Sequence, residues 1–304
     1  MTHQPVLLKE VIEVLHPRPG SFVIDGTIDG GGHAAAILER IVPGGRFLGV
    51  DWDGEAVKET KRRIAAIPNH QFLISKPLLV HGNYADLPAI LKKKGMGKAD
   101  GLLLDLGFSS EQLESAGGRM GKGFSFAKKD EPLLMTYDAE RKPVKKLLRE
   151  LSVRELARII HDLSGERFAM RVAEAIKEKM KAKPIETTRD LRDIVHAAVP
   201  RNYEHGRIDP ATRTFQALRI YANDELGNLR KLIDRLPEIL KPGGRAAIIS
   251  FHSLEDKIVK DLFRDFAKRG IVEILTKKPI VPSREEIYSN RRSRSAKLRA
   301  AQLV

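Results

Sequence analysis

Residues 25–34 read DGTIDGGGHA, a glycine-rich run that carries two carboxylates and ends on a histidine and an alanine. The run overlaps SFVIDG at residues 21–26, a short apolar stretch typical of a first parallel strand. A glycine-rich turn between a strand and a helix is where α/β folds commonly hold a nucleotide. Asp25 and Asp29 would repel a phosphate there, so the run predicts a nucleotide-type α/β fold and disfavours a phosphate-bearing ligand.

Strand and helix patterns alternate over the first hundred residues. Apolar runs that end on Asp or Gly predict strands, and amphipathic stretches predict helices. The further strands are predicted at 46–51, 77–87 and 99–107, and the helices at 35–42 and 54–67. This alternation predicts a doubly wound α/β domain, a Rossmann-like fold with a parallel sheet.

A long helical stretch interrupts the alternation after the fourth strand. Helices are predicted at 152–163, 165–180, 187–199 and 209–226. Ser152 and Glu155 have the spacing of a capping box for the first of them, and Asp209 before Pro210 is a capping residue for the last. A helix at 229–240 and a strand at 244–251 follow, then a helix at 253–268 and a strand at 271–276. The sequence therefore predicts a core of residues 1–110 and 221–304 with an inserted helical domain, 111–220. An insertion at this point lies at the carboxyl edge of the sheet, so it is expected to cap the site and recognise substrate.

Composition narrows the class of protein. The 304 residues are 42% hydrophobic and 31% charged, no apolar run is long enough to span a membrane, and the N-terminus has no leader pattern, so a cytoplasmic protein is expected. The net charge is +14, and RRSRSAKLR at 291–299 carries no acid, which favours a nucleic-acid partner. The absence of cysteine excludes disulfides, thiolate metal sites and cysteine nucleophiles, and no metal site is predicted.

A dinucleotide is one ligand that the glycine run could bind. Gly30, Gly32 and Ala35 fit the G-x-G-x-x-[GA] pattern, and Asp51 lies 21 residues after Gly30, near the expected ribose carboxylate. The match is weak because four residues separate the strand from the first glycine, and because carboxylates adjoin the place of the pyrophosphate.

S-adenosylmethionine removes this conflict, since it has a ribose but no phosphate and carries cationic sulfonium and amino groups. Asp25 would neutralise the amino group, Asp51 would bind the ribose hydroxyls, and Asp105, which ends the fourth strand, would face the same crevice. Three strand-terminal acids around one pocket favour the methyl donor over a dinucleotide.

Several longer segments identify the type of methyltransferase. They are PVLLKEV (5–11), DGTIDGGGHA (25–34), DGLLLDLGFSSEQL (100–113), GFSF (123–126), GERFA (165–169), PATRTFQALRI (210–220), ISFHSLEDKIVK (249–260) and NRRSRSAKLR (290–299). With these segments the chain resembles the bacterial small-subunit rRNA (cytosine-N4)-methyltransferase family, RsmH, also called MraW. The resemblance covers nearly the whole chain and implies a class I methyltransferase that acts on 16S rRNA.

The resemblance also implies a set of site residues. It assigns methyl-donor contacts to seven positions: Gly31, Gly32, His33, Asp51, Tyr84, Asp105 and Gln112. Gly30 is added to these as part of the same glycine loop. Only the loop, Asp51 and Asp105 also follow from the residues themselves.

The implied reaction is attack of the exocyclic N4 of a cytosine on the sulfonium methyl, which is mainly positioning catalysis. We expect Asp105 with Ser109 and Ser110 to orient the amine, and His252 and Ser253 to line the base pocket. Helix capping with a Ser253–Asp256 spacing is an equal alternative for the last two. Without cysteine, methylation at cytosine C5 and radical methyl transfer are excluded.

The substrate cytosine must leave its stack to be reached. The helical insert and the basic C-terminal stretch are the expected RNA-facing surfaces. Arg213, Arg219 and Arg294 are candidate phosphate contacts, with internal ion pairs as the alternative for each.

The chain departs from the family pattern at Asp29, where glycine is common, at Leu134 and Thr136, which replace an acid and an arginine, and at Asp209, which replaces a histidine. Three alternatives therefore stay open: a methyltransferase for another amine, on a DNA base or a protein; a weakly active, donor-binding RNA-associated assembly factor; and a nicotinamide oxidoreductase. The oligomeric state is also open, with a homodimer as one option.

Overall fold

The structure is a computed structural model that describes residues 4–65, 77–106, 121–125, 130–138, 140–206 and 208–304. Its contacts divide the chain into two compact units, Met1–Glu111 with Leu226–Val304, and Gln112–Glu225. The sequence placed the second boundary after residue 220, inside a helix that runs to Asn223. Residues at both ends of that helix, from Ala211 to Ala222, belong to the apolar core of the helical unit, which moves the boundary later.

The first unit is built on a seven-stranded sheet in the order β3-β2-β1-β4-β5-β7-β6. The strands are β1 (Phe22–Asp25), β2 (Arg46–Asp51), β3 (Leu78–His81), β4 (Ala99–Asp105), β5 (Leu240–Ser250), β6 (Val272–Ile274) and β7 (Lys297–Leu303). Strands β1 to β5 pair in parallel, and β7 lies antiparallel between β5 and β6. The predicted Rossmann-like α/β fold is confirmed by this topology.

The helices alternate with these strands and then accumulate in the second unit. In chain order they are α1 (Leu8–Leu15), α2 (Gly32–Ile41), α3 (Gly54–Ala65), α4 (Leu87–Lys93), α5 (Val144–Glu150), α6 (Val153–Ser164), α7 (Ala169–Ala182), α8 (Thr188–Ala198), α9 (Ala211–Asn223), α10 (Glu225–Asp234), α11 (Leu236–Ile239), α12 (Ser253–Lys268) and α13 (Arg284–Ser289). No helix in the described ranges is both long and apolar enough to cross a bilayer.

Side chains of the central strands alternate between two apolar clusters, one on each face of the sheet. Ile24, Leu102 and Leu104 belong to one cluster, whereas Val23 and Leu103 belong to the other. A parallel strand covered on both faces has no polar side, which explains why these strands read as continuous apolar runs. The sheet is thereby rigid, and the ends of its strands are fixed in position.

Two predictions about single elements in this unit were wrong. The helix expected at 229–240 is two helices, α10 and α11, because Pro237 at the start of α11 cannot continue the preceding hydrogen-bond ladder. The strand expected at 244–251 begins earlier, at Leu240, so that the KPGG stretch at 241–244 is part of β5, with a bulge between Ala99 and Gly101 of β4 opposite it.

The C-terminal basic stretch is likewise not a bare tail. Its second half forms β7, an interior strand of the sheet. Asp256 of α12 accepts bonds from Arg299 Nε at 2.7 Å and from Lys297 Nζ at 3.2 Å. Burial opposes ionisation of Asp256, but these two cations together hold the pKa of its carboxyl below the usual value. Only the first half of the stretch, a 3₁₀ turn at Arg291–Ser295, is left to face a partner.

The second unit packs α5 to α9 around its own apolar cluster. Ser152 and Glu155 form the predicted capping box of α6, and Thr187 with Asp190 forms another at α8. At the start of α9, Asp209 Oδ1 accepts from Ala211 N at 2.8 Å, as expected of a capping residue.

Candidate functional site

Three buried carboxylates stand at the carboxyl ends of adjacent strands. Asp25 ends β1, Asp51 ends β2 and Asp105 ends β4, and each is at most 5% exposed. The order of the strands reverses between β1 and β4, and open α/β sheets bind ligands in the crevice at such a point. The structure thus brings together the three acids that the sequence singled out.

Asp25 is the most deeply buried of the three. Its Oδ1 accepts from Thr27 N at 3.1 Å, while its Oδ2 has no hydrogen-bond partner within the described part of the chain. The pKa of this carboxyl is raised to about 7, mainly by burial; His33 and the Thr27 N–H oppose the rise, and nearby Asp105 and Asp51 contribute to it. A buried acid with an unbonded oxygen is suited to receive a cation.

Asp51 is held by backbone donors on both sides. Its Oδ2 accepts from Asp29 N at 3.0 Å, and its Oδ1 accepts from Asp53 N at 2.7 Å. These bonds fix the rotamer of Asp51 and connect the end of β2 to the glycine loop. Asp29, the position where the family pattern commonly has glycine, adopts a left-handed backbone with φ of 40°. This is a conformation that glycine adopts without strain and aspartate tolerates better than most residues.

The glycine loop is tightly packed from behind. Gly31 has φ of +78°, and a Cβ there would lie 3.0 Å from Thr60 Cγ2. A Cβ on Gly32 would lie 3.0 to 3.2 Å from the ring of Pro5. The loop can therefore pass these neighbours only without side chains, which leaves its backbone in place to approach a ligand closely.

Two residues of α3 hold the loop by its carbonyl groups. Thr60 Oγ1 donates to the carbonyl oxygen of Asp29 at 2.8 Å, and Arg63 Nη1 donates to that of Gly30 at 2.7 Å. Sequence reasoning missed both residues, because nothing in an amphipathic helix shows which of its polar side chains turns toward a loop thirty residues away.

His33 lies in the first turn of α2, which begins three residues earlier than predicted and so follows directly from the loop. Its ring is buried, and its Nε2 lies 3.4 Å from Asp105 Oδ2. Its Nδ1 has no hydrogen-bond partner among the described residues. The backbone N–H of Asp105 donates to Thr27 Oγ1 at 2.6 Å, so the threonine of the DGTIDGG motif joins β1 to β4 at the site.

Tyr84 lies in a 3₁₀ turn, Tyr84–Asp86, that follows β3 and is capped by Asn83. Its buried ring stacks on Trp52, with ring centroids 5.4 Å apart and planes 3° from parallel. Trp52 follows directly after Asp51, so an aromatic pair borders the expected ribose site. Sequence reasoning missed Trp52, although it is the single tryptophan of the chain and directly follows a strand-terminal acid.

His252 is the N-cap residue of α12. Its Nδ1 accepts from Glu255 N at 3.4 Å, and Glu255 Oε2 accepts from Phe251 N at 2.8 Å and from His252 N at 3.4 Å. The capping box is thus His252–Glu255, and the Ser253–Asp256 box considered in the sequence is wrong by one residue. Ser253 is exposed as the first helical residue. Since Asp105 of β4 pairs with Ile249 of β5, His252 follows at the same edge of the sheet.

Three of the predicted site residues, Ser109, Ser110 and Gln112, lie outside the described residues. Leu134 and Thr136 lie in the helical unit, Thr136 buried and Leu134 half-buried.

Two of the three predicted phosphate contacts form internal ion pairs. Arg213 Nη1 donates to Glu204 Oε1 at 2.8 Å, and Arg219 Nε lies 3.1 Å from Glu225 Oε1. Both guanidinium groups are mostly buried, so the ion-pair alternative holds for them in this structure. Arg294 is exposed in the 3₁₀ turn before β7.

The motif segments GERFA and PATRTFQALRI meet in the helical unit. Glu166 is buried and accepts from Phe168 N at 2.8 Å and from the hydroxyl of Tyr203. Arg213 Nη1 donates to the same hydroxyl at 3.3 Å. This polar network joins the starts of α7 and α9, and it explains why Arg213 is held within the protein.

Known proteins resemble this chain over its full length. The model of the MraW methylase family matches residues 1–304. A protein named ribosomal RNA small subunit methyltransferase H from Syntrophus aciditrophicus is 44% identical, with 99% of this chain and 98% of the relative covered. A protein of the same name from Heliobacterium modesticaldum is 43% identical, with the same shares covered. The three buried acids lie where the order of the strands reverses, and the chain that carries them belongs to the MraW methylase family.

Proposed function

We propose that this protein transfers a methyl group from S-adenosylmethionine to the exocyclic N4 of a cytosine in 16S rRNA. The observation that carries the proposal is the ring of buried carboxylates at the strand ends, Asp25, Asp51 and Asp105, beside a glycine loop with no room for side chains. Such a crevice accepts a cationic nucleoside and repels a pyrophosphate, which argues against the nicotinamide alternative.

The residues present fit S-adenosylmethionine. Asp25 offers an unbonded buried oxygen to the amino group, and His33 Nδ1 is a second unbonded polar atom in the same crevice. Asp51, already oriented by two backbone N–H groups, is placed to bind ribose hydroxyls, and the Trp52–Tyr84 pair offers an aromatic wall next to it. When bound, S-adenosylmethionine supplies a methyl group on a positively charged sulfur.

Asp105 is the residue we assign to the nucleophile. The N4 lone pair of cytosine is delocalised into the ring, so the amine must be turned and held before it can attack. The Asp105 carboxylate can accept a hydrogen bond from the amine, and its own position is held by β4, by Thr27 and by the nearby imidazole of His33. No strong base is needed, because the amine becomes acidic only as its new bond to carbon forms.

The choice of substrate rests on the relatives and on the charge of the chain. The relatives described above are named small-subunit rRNA methyltransferases. The motif segments of this chain resemble those of the cytosine-N4 family, and this resemblance is the ground for proposing N4 of cytosine. The net charge of +14 suits a polyanionic substrate. We propose that the helical unit, 112–225, recognises the RNA and that the reaction takes place in the cytoplasm.

The decisive experiment measures tritiated-methyl transfer to purified small ribosomal subunits. The wild-type protein should label 16S rRNA, and nucleoside mass analysis should locate the label on N4-methylcytidine. Asp105→Asn should reduce the rate at saturating methyl donor at least about 100-fold, since it removes a carboxylate used to orient the amine. Asp86→Asn serves as the matched control, because Asp86 is an exposed carboxylate bonded to Lys231.

Donor binding without any methyl transfer to subunits would support the alternative, a donor-binding assembly factor, and would overturn the proposal. Label on DNA or on a ribosomal protein, with none on rRNA, would instead favour a methyltransferase for another amine.

A further inference from the structure

Tyr288 is the most exposed of the large apolar side chains that the structure describes, with 92% of its surface open to solvent. It lies on α13, a short helix that buries none of its residues. An aromatic ring left in water on such a helix contributes nothing to the core, so its presence suggests a contact with a partner.

The helix that carries Tyr288 is anchored through other atoms. Glu286 Oε1 accepts from Leu7 N at 2.8 Å, and Asn290 Nδ2 donates to the carbonyl oxygen of Gln4 at 3.2 Å. Ser283 caps the helix through Glu286 N. The tyrosine ring is thus presented from a fixed backbone and has no part in holding it.

Three exposed arginines lie within six residues of Tyr288 along the chain. Arg284 precedes Tyr288 by four residues and lies on the same helix face, and Arg291 and Arg294 are exposed in the 3₁₀ turn that follows. Glu285 is the exposed acid next to them on the helix, while Glu286 is occupied by Leu7 N. The patch formed by Tyr288, Arg284, Arg291 and Arg294, which we call the Tyr288 patch, is therefore cationic.

The Tyr288 patch lies at the edge of the sheet where the crevice is. The 3₁₀ turn leads into Lys297, the first residue of β7, which pairs with Ser250 at the carboxyl end of β5. The N-terminal segment that anchors α13 also contains Pro5, whose ring packs against Gly32 of the glycine loop. A strand of RNA on the patch would therefore run close to the place where a cytosine must enter.

We propose that Tyr288 stacks on an unpaired base of the RNA substrate and that Arg291 and Arg294 bind the phosphates beside it. Aromatic rings with flanking cations are the recurring means of binding single-stranded nucleic acid, because every base has a face to stack. The proposal rests on the proposed function and adds to it that the RNA beside the target cytosine is bound as a single strand.

The test is the affinity for a fluorescent single-stranded RNA 12-mer, measured by anisotropy at several salt concentrations without methyl donor. Tyr288→Ala should weaken binding about 5- to 100-fold with an unchanged salt slope, and Tyr288→Phe should bind within about twofold of the wild type, because the ring alone stacks. Arg291→Ala combined with Arg294→Ala should lower the slope of log affinity against log salt by about 0.7 for each phosphate lost.

Val304→Ala is the control, since Val304 is an exposed apolar residue of the first unit that follows the end of β7 opposite to Lys297, and it should bind RNA as the wild type does. Equal affinity of Tyr288→Ala and the wild type would overturn the proposal, as would a Phe variant as weak as the Ala variant. A change from dimer to monomer in Tyr288→Ala, seen by light scattering, would show that a second copy of the chain covers the ring and would also overturn it. Methyl transfer by the wild type tests the proposed function separately, so either proposal can fail alone.

Discussion

Asp25 illustrates how one buried group sets the behaviour of the crevice. Burial favours its protonated form in the folded chain and raises its pKa from 3.8 to about 7. The ligand-free fold therefore loses stability as the pH rises from about 4 to about 7, and it loses no more above that range. A cationic ligand binds the ionised carboxylate, which is the form that the ligand-free fold disfavours. Its attraction for the carboxylate therefore offsets the free-energy cost of ionising Asp25.

We predict that methyl-donor affinity rises with pH up to about 7, by at most about tenfold per pH unit, and rises no further above that pH. The amino group of the donor stays protonated below pH 7, so Asp25 is the group that titrates. Calorimetry between pH 5.5 and 8 measures the dependence. Asp25→Asn should bind weakly at every pH with no such rise, and a rise that persists in this variant would contradict the assignment.

Gly31 tests whether the loop needs glycine for conformation or for space. Both Gly31 and Gly95 have positive φ, at +78° and +62°, but only a Cβ on Gly31 would meet a neighbour, Thr60, at 3.0 Å. Gly95→Ala should cost about 1 kcal/mol of stability from backbone strain alone and leave donor binding unchanged.

Gly31→Ala should cost more stability than Gly95→Ala and weaken donor binding at least about tenfold, because the shifted loop no longer fits the ligand. Thermal denaturation and calorimetry give the two quantities. Equal losses in both variants would mean that the contact with Thr60 has no importance for the site.

At the scale of elements, His252 caps α12 and is also predicted to line the base pocket, and substitutions can separate these two roles. Asparagine is a good N-cap, so His252→Asn should keep the melting temperature, whereas His252→Ala should lose about 1 kcal/mol. If the ring lines the base pocket as predicted, the Asn variant should lose methyl transfer at least about tenfold, since an amide replaces that ring. Full activity in the stable Asn variant would reduce His252 to a capping residue.

The parallel strands could be predicted from the sequence. Elements whose position depends on residues far away in the chain could not. β1, β2 and β4 are runs buried on both faces, so their apolar continuity shows in the sequence itself. β7 carries Lys297 and Arg299, and its place inside the sheet depends on Asp256, a carboxylate some forty residues earlier. A cationic strand of this kind cannot be told from a solvated tail until its counterion is placed.

The same limit applies to the site. The three acids were found because each ends a strand, a position that the local pattern reveals. Thr60, Arg63 and Trp52 were missed, because their contacts depend on where α3 and β3 pack around the loop and the end of β2. For Arg213 the sequence leaves a phosphate contact and an internal ion pair as equal alternatives, because it does not show that Glu204 lies beside this arginine.

At the scale of the whole molecule, the net charge of the chain is positive, whereas the charged side chains that line the crevice are acids. The chain carries a net charge of +14, yet its donor crevice is lined by acids that are almost wholly buried. Exposed charges act through screened, counterion-releasing contacts, and buried ones are screened much less. The two binding events should therefore respond differently to salt.

We predict that raising salt from 50 to 200 mM weakens RNA binding at least about 50-fold, which corresponds to about four phosphate contacts on a single strand. Methyl-donor affinity should change less than about twofold over the same range, because its partners are the buried acids Asp25, Asp51 and Asp105. Anisotropy with the RNA 12-mer and calorimetry with the donor give the two slopes. Equal slopes would mean that both ligands meet exposed charge, and the division between a basic exterior and an acidic crevice would then be wrong.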